Sequence, residues 1–223
     1  MTTSSPTKGR GTVAIVAGSV AVLAGFVLAA GGALLLGVFG SDGTVASGEH
    51  SLSTSRTALV SSVADVGDIS DLADVVGDPR IEVSAAAPGS ELFVGIGPAA
   101  AVDGYLAGAS IDEVTDFEVD PFELTRRPRE GSARPAAPGA QGFWVAQATG
   151  SDAALRWKVR DGDYRLVLMN ADGSRPVDAE GEVKLSLPRV AGIAWTLTGT
   201  GLLLVFVGAA AMVLGVRGRR ASS

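Results

Sequence analysis

Four arginines cluster in one short stretch of the chain: Arg126, Arg127, Arg129 and Arg134. A guanidinium offers a fixed fork of donors that matches carboxylate and phosphate oxygens. In a chain with 24 Asp and Glu against 18 Lys and Arg, such a cluster is where an anionic ligand would be held. An anionic headgroup, an anionic wall polymer or an acidic protein partner all fit that chemistry. The plainer reading is a set of solvated side chains, because Pro128, Pro135, Pro138 and several glycines make residues 128–142 a loop.

Other reactive types are scarce. Cysteine is absent and His50 is the one histidine, which removes disulfides, thiolate chemistry and His/Cys zinc sites. A Ser-His-Asp arrangement would have to use His50, and no Gly-x-Ser-x-Gly elbow accompanies it. Two acidic runs carry carboxylates that could meet a divalent cation: Asp65, Asp68, Asp71, Asp74 and Asp78, then Asp112, Glu113, Asp116, Glu118, Asp120 and Glu123. Neither has the ligand alternation around a central glycine that an EF-hand loop needs. In the second, Phe117 and Val119 alternate with Glu118 and Asp120, which describes the wet face of a strand. Gly95-Ile96-Gly97-Pro98-Ala99-Ala100 superficially matches a dinucleotide loop, but no βαβ unit surrounds it, so its glycines read as a tight strand-to-helix turn. No cofactor and no metal is expected.

What positions these groups is set by two apolar runs. Val13 to Phe39 has no charged side chain, and Ser19 is its one polar side chain; Val190 to Val216 is likewise uncharged. About 20 apolar residues suffice to cross a bilayer. Residues 13–39 and 190–216 are therefore expected to be transmembrane helices. All 24 acids lie between Asp42 and Glu182, while Lys8 and Arg10 before the first run and Arg217, Arg219 and Arg220 after the second stand without acids. Positive flanks mark the cytoplasmic side. The reading is a multi-pass plasma-membrane protein with cytoplasmic tails at 1–12 and 217–223 and an extracytoplasmic domain at 42–189. The competing reading of residues 1–47 is a signal peptide cleaved near Val45-Ala46-Ser47, but a signal core of about 7–15 residues is far shorter than this run. The lipid bilayer is the first partner implied, and that compartment leaves no nucleic acid to bind.

In the first run, Ala17, Ala21, Gly25, Ala29, Ala33 and Gly37 recur every fourth position. Residues four apart share a helix face, so these six are a candidate face for close helix packing, first against the second run and then in an oligomer of unknown size. The runs contain no Asp, Glu, Lys, Arg or His, which argues against an ion or proton pathway. Thr196, Thr198 and Thr200 can bond back to their own helix.

The segment between reads as strands: Thr57 to Ser61, Ile81 to Ala85, a doubly buried Leu92 to Ile96, Phe117 to Val119, Phe143 to Thr149, and a last one carrying Val183, Leu185 and Leu187. Pro98 to Gly108 reads as a short helix. Leu155 to Arg160 alternates, Asp161-Gly162 is a two-residue turn signal, and Tyr164 to Met169 returns. The expected hairpin pairs Arg160 with Asp163, Val159 with Tyr164, Trp157 with Leu166 and Leu155 with Leu168. The fold class expected is a membrane-anchored all-β protein, a β-sandwich of jelly-roll or Ig-like type between two transmembrane α-helices.

In Leu92-Phe93-Val94-Gly95-Ile96-Gly97-Pro98, Tyr105-Leu106 and Leu168-Met169-Asn170-Ala171-Asp172-Gly173-Ser174, the chain resembles a group of uncharacterised actinobacterial two-span membrane proteins. That resemblance implies a β-rich extracytoplasmic domain between two membrane helices. Its motifs are turns and strands, so it implies no active-site residues.

The function expected is non-enzymatic: a cell-envelope protein that presents its outer domain to a protein partner or an envelope component. The alternatives are an accessory subunit of a larger membrane complex and an extracytoplasmic hydrolase.

Overall fold

The computed structural model describes residues 8–66, 73, 75–119 and 122–220. It divides into two units, a pair of helices and the β-rich segment Thr44–Pro188. The helices are α1, Lys8–Phe39, and α3, Pro188–Arg220. Their apolar portions, Ile15–Phe39 and Pro188–Gly218, are long enough to cross a membrane.

Within the β-rich unit the strands are β1 Thr44–Ala46, β2 His50–Ser51, β3 Ala58–Ser61, β4 Ala64–Val66, β5 Arg80–Ala86 and β6 Leu92–Pro98. A short helix α2, Ala99–Tyr105, follows, and then β7 Ile111–Val119, β8 Phe122–Arg129, β9 Ala146–Gly150, β10 Asp152–Lys158, β11 Gly162–Asn170 and β12 Glu180–Ser186. They form two sheets. The first has the order β1-β12-β5-β10, with β2 also on β12. The second has the order β8-β7-β3-β11-β6-β9, with β4 also on β11, and its β3–β7 pair is parallel. Val45 and Ala46, the residues of the candidate cleavage site, lie inside β1 in register with Leu185 and Lys184.

One apolar cluster takes side chains from both sheets: Val83, Ala85, Leu155 and Trp157 from the first, Leu59, Leu92, Val94, Ile96 and Leu168 from the second. Each strand contributes alternate residues, as the two-residue period of a pleat requires. A second cluster lies on the other side of the second sheet, where Phe93, Val60, Val167 and Met169 meet Val102 and Leu106. Pro98 caps α2, and its buried Ala99 and Val102 face the sheet. This double cover explains why β6 is buried from Leu92 through Gly97. Gly95 permits it, because a Cβ there would stand 2.5 Å from the Phe93 ring and 2.9 Å from that of Trp144.

The 155–169 hairpin does not form. β10 pairs with β5, setting Trp157 against Ile81, while β11 pairs with β3, β4 and β6. Residues 159–161 carry the chain from one sheet to the other instead of turning it back within one. The apolar sides still meet, now across the core: the Trp157 and Tyr164 rings approach edge-on with centroids 4.7 Å apart. Alternation tells which side of a strand faces the core and leaves its hydrogen-bonded neighbour open. β6, apolar on both faces, requires a central position and takes β11 beside it.

Residues 128–142 also depart from a simple loop, since β8 runs to Arg129 and a 3-10 turn spans Pro138–Ala140. β9 begins at Ala146, because Phe143 and Trp144 pack on the outer cluster, with Trp144 5.0 Å from Phe93 between ring centroids.

Candidate binding surfaces

The four arginines of the expected patch do not converge. β8 places Arg126 opposite Val114, and Arg127 and Arg129 opposite Glu113 and Ile111, so the pleat sends Arg126 to one side and the other two to the opposite side. Arg126 Nη1 donates to Ser53 O at 2.7 Å, and Arg129 Nη2 to Leu106 O at 3.5 Å. Arg134 pairs with Asp172 at 3.2 Å. A short apolar alternation ahead of Arg126, Phe122 and Leu124, was the available signal that these arginines belong to a strand.

Two other arginines, absent from the sequence-based candidates, organise most of the buried charge. Arg165 on β11 lies on the α2 side of the second sheet, opposite Gly97. Its Nη1 donates to Glu113 Oε1 at 2.9 Å and Ser61 O at 2.6 Å. Asp103 Oδ1 lies 3.1 Å from Nε, off the N–H direction. Arg56 meets Asp112 at 2.8 Å and Glu130 at 2.7 Å and donates to Ser110 Oγ at 2.8 Å, while Thr54 donates to Asp112 Oδ2 at 2.7 Å. The hydrogen bond from Arg56 holds the Glu130 carboxyl below the ordinary carboxylate range. These networks absorb Asp112 and Glu113 of the second acidic run. They are clamps between strands and loops, with each carboxylate already committed to a guanidinium.

In the first acidic run, Asp78 pairs with Lys158 at 2.9 Å. Asp68, Asp71 and Asp74, like Asp120 of the second run, lie outside the described residues. Among the described residues no three His, Asp or Glu side chains converge as a metal site would need. His50 lies in β2, its Nε2 2.7 Å from Ser47 O.

A shallow cleft of about 470 Å³ opens where β6 begins and β11 ends, lined by Ser90, Glu91, Asn170, Asp172 and Ser174 among others. Its polar groups are largely committed to the turn itself. Asn170 Nδ2 donates to Pro176 O at 2.8 Å and Ser174 O at 3.1 Å, and the Ser174 amide donates to Asp172 Oδ1 at 2.9 Å. Bonds from Ser174, more than the Arg134 charge, depress the Asp172 carboxyl.

Between α1 and α3 the contact is made by backbone. A Cβ on Gly18 would lie 2.6 Å from Gly208 O, and one on Gly25 2.5 Å from Gly201 O; one on Gly32 would collide with the Thr198 hydroxyl and lie 2.6 Å from Ala194 O. The helices are therefore antiparallel and meet along Gly18, Gly25 and Gly32 against Ala194, Gly201 and Gly208. Both rows have a spacing of seven, the repeat that keeps one helix seam facing another. Of the six small residues expected to form the packing face, Gly25 is buried in this seam and Ala29 borders it, since a Cβ on Gly201 would collide with the Ala29 amide. Ala21 is half-buried, Ala17 and Ala33 are exposed, and Gly37 has nothing near its missing Cβ. Ser19 reaches Met212 Sδ at 3.4 Å across the seam. Thr196 and Thr198 bond to carbonyls four residues back in their own helix, at 2.7 and 2.9 Å.

Compared with protein-family models, curated proteins and solved structures, the chain matches none.

Proposed function

We propose that this chain is a two-span plasma-membrane protein of the cell envelope whose β unit stands outside the cytoplasm as a sandwich and binds a protein partner or an envelope component, without catalysing a reaction. The observation that carries this reading is the helix pair. Its two apolar helices meet through a glycine seam and leave Leu23, Phe26, Leu203 and Phe206 exposed, Phe206 by 80%. In water so large an apolar surface would aggregate; in lipid it is solvated, and close backbone packing is what associates helices there. The acid-free cationic tails favour the cytoplasm for both termini. Carboxylates committed to arginine clamps favour binding over turnover.

Cysteines introduced at Ser4, Ser132 and Ser222, probed on intact cells with an impermeant thiol reagent, test this. Labelling at Ser132 alone is expected, and labelling at Ser222 overturns the two-span arrangement. A second reading, an accessory subunit of a membrane complex, is favoured by Ala17, Ala33 and Gly37, which α3 leaves uncovered on α1. Co-purification of other chains from detergent separates it from a lone anchor.

A further inference from the structure

Gly95 and Gly97, read from the sequence as a tight turn, lie in β6 and make a floor for aromatic rings. A Cβ on Gly97 would stand 3.1 Å from both the Phe143 and the Trp144 ring, and one on Gly95 2.9 Å from Trp144. Over that floor Phe143 and Trp144 lie with centroids 4.4 Å apart, and Tyr105, from the end of α2, stands 5.8 and 6.0 Å from them. All three side chains are half-buried, so part of this aromatic shelf is turned away from the sheet.

A segment of the same chain is seated on the shelf: Arg134-Pro135-Ala136-Ala137-Pro138. The Tyr105 hydroxyl donates to Ala136 O at 2.6 Å, and the Trp144 indole N–H donates to Pro138 O at 2.9 Å. Pro138 is fully buried and Pro135 half-buried, while Ala136 and Ala137 are exposed. Every third residue thus turns inward, which is the period of a polyproline II helix. Ala137, with φ −51° and ψ 125°, is close to that conformation, and each proline disfavours the α region at the residue before it. At the start of the segment Arg134 pairs with Asp172 at 3.2 Å. Extended proline segments are recognised on aromatic-lined grooves, where an indole or a phenol presents an apolar body and a hydrogen-bond donor together.

The segment is a strap, pinned at its ends and lightly held between them. Ala133 N donates to Gly108 O before it and Val145 N to Ile96 O after it, each at 2.9 Å. Among the described residues no strand pairs with 134–138. The Arg134–Asp172 pair is exposed on both sides, where an ion pair contributes little. The cleft beside Asn170 and Asp172 opens against Ala137, so the strap has room to lift on that side. We infer that Tyr105, Phe143 and Trp144 form a docking site for a partner's polyproline II segment with an arginine ahead of its first proline, and that residues 134–138 are an internal copy of that ligand, which the partner displaces. This deepens the partner-binding reading given above, on which it rests, and names the partner as a proline-rich polypeptide.

The probe is a synthetic peptide with the strap's own sequence, Arg-Pro-Ala-Ala-Pro-Gly, added to the full chain in detergent micelles. The readout is the indole N–H resonance of Trp144, whose proton is held by Pro138 O. Such a peptide competes evenly with the strap once it reaches the strap's effective concentration, which is millimolar for a short tether. Half-displacement at millimolar peptide is therefore expected in the unmodified chain. Pro135→Gly with Pro138→Gly removes the strap's buried ring and its preset backbone, and should lower the concentration for half-displacement at least about tenfold. The Trp157 resonance, from the core between the sheets, checks that this variant is folded; if it is not, the unmodified chain decides alone. In the folded variant Tyr105→Phe should weaken the peptide about fivefold, the loss of one hydrogen bond. A Trp144 resonance that stays still in both chains overturns the docking site. Equal movement with Arg-Ala-Ala-Ala-Ala-Gly also overturns it, since the shelf would then not select proline. Either result leaves the two-span reading to the thiol labelling at Ser4, Ser132 and Ser222 and the search for another partner to co-purification. Labelling at Ser222 would in turn leave the docking site standing, because all of its residues belong to the β unit.

Discussion

Between α1 and α3, the closest approaches are backbone to backbone at Gly18, Gly25 and Gly32, where even a methyl group would collide. Inside the β unit, the space between sheets is filled by Trp157, Leu155, Leu92 and Leu168. The helix seam gains contact by deleting side chains, and the sheet core gains it by burying them. The difference follows from the surroundings proposed for each. In hydrocarbon an apolar side chain gains little by leaving lipid, so intimacy of packing decides. In water each buried leucine or tryptophan removes apolar surface at about 25 cal/mol per Å².

The sharpest break of this comparison is to put a side chain where the seam has none. A disulfide between Ser19→Cys and Met212→Cys reports the seam, because these side chains touch across it. Gly25→Leu should reduce that crosslink to below about a tenth, since the new side chain meets the Gly201 carbonyl. Gly37→Leu, with open space around it, should leave the crosslink intact. Equal crosslinking in both would mean the seam does not depend on absent side chains.

In the β unit the opposite change is the damaging one. Trp157→Ala should cost about 3–5 kcal/mol in a denaturant titration, because the cavity cannot close over a residue enclosed by both sheets. A loss below about 1 kcal/mol would show that the inner cluster is not packed as described.

The smallest effect concerns the outer cluster, where burial acts on a polar group. Burial pushes the Tyr105 phenol up to about 12, and its hydroxyl donates to Ala136 O at 2.6 Å. The unfolded phenol ionises near 10, so between pH 10 and about 12 the unfolded chain releases a proton that the folded chain keeps. Stability from this group is intact below pH 10 and falls as pH rises through that window. Tyr105→Phe should lose about 1 kcal/mol at neutral pH through the missing hydrogen bond, and lack that part of the alkaline decline. An unchanged alkaline profile in the variant would refute the assignment.

Much of this architecture was legible from local pattern. The two apolar helices, β5, β6 and α2 follow from runs, alternation and a proline at a helix start. What escaped was non-local. The alternation of Leu155, Trp157 and Val159, and of Leu166 and Leu168, marks the sides that face inward; whether these strands pair or oppose each other depends on β5 and β6, far off in sequence. The seam was obscured by composition, because small residues, mostly alanine, at every fourth position of α1 mask a seven-residue glycine repeat. Glycine alone, compared between both apolar runs, would have shown Gly18, Gly25 and Gly32 matching Gly201 and Gly208. Arg126 stands apart from Arg127 and Arg129 because consecutive residues of a strand point to opposite sides, which charge counting ignores.

β1 and β12 are neighbours in one ladder, with Thr44 opposite Ser186, so the chain leaves the β unit about one strand spacing, roughly 4.8 Å, from where it came in. For the entropy of joining α1 to α3, the intervening domain then counts as a tight turn. Closing a disordered segment of the same length would cost roughly 3 kcal/mol more than closing a turn, since that entropy grows as the logarithm of loop length. Folding of the β unit thus raises the effective concentration of one helix for the other, and three residue pairs at the root of the sheet carry that coupling.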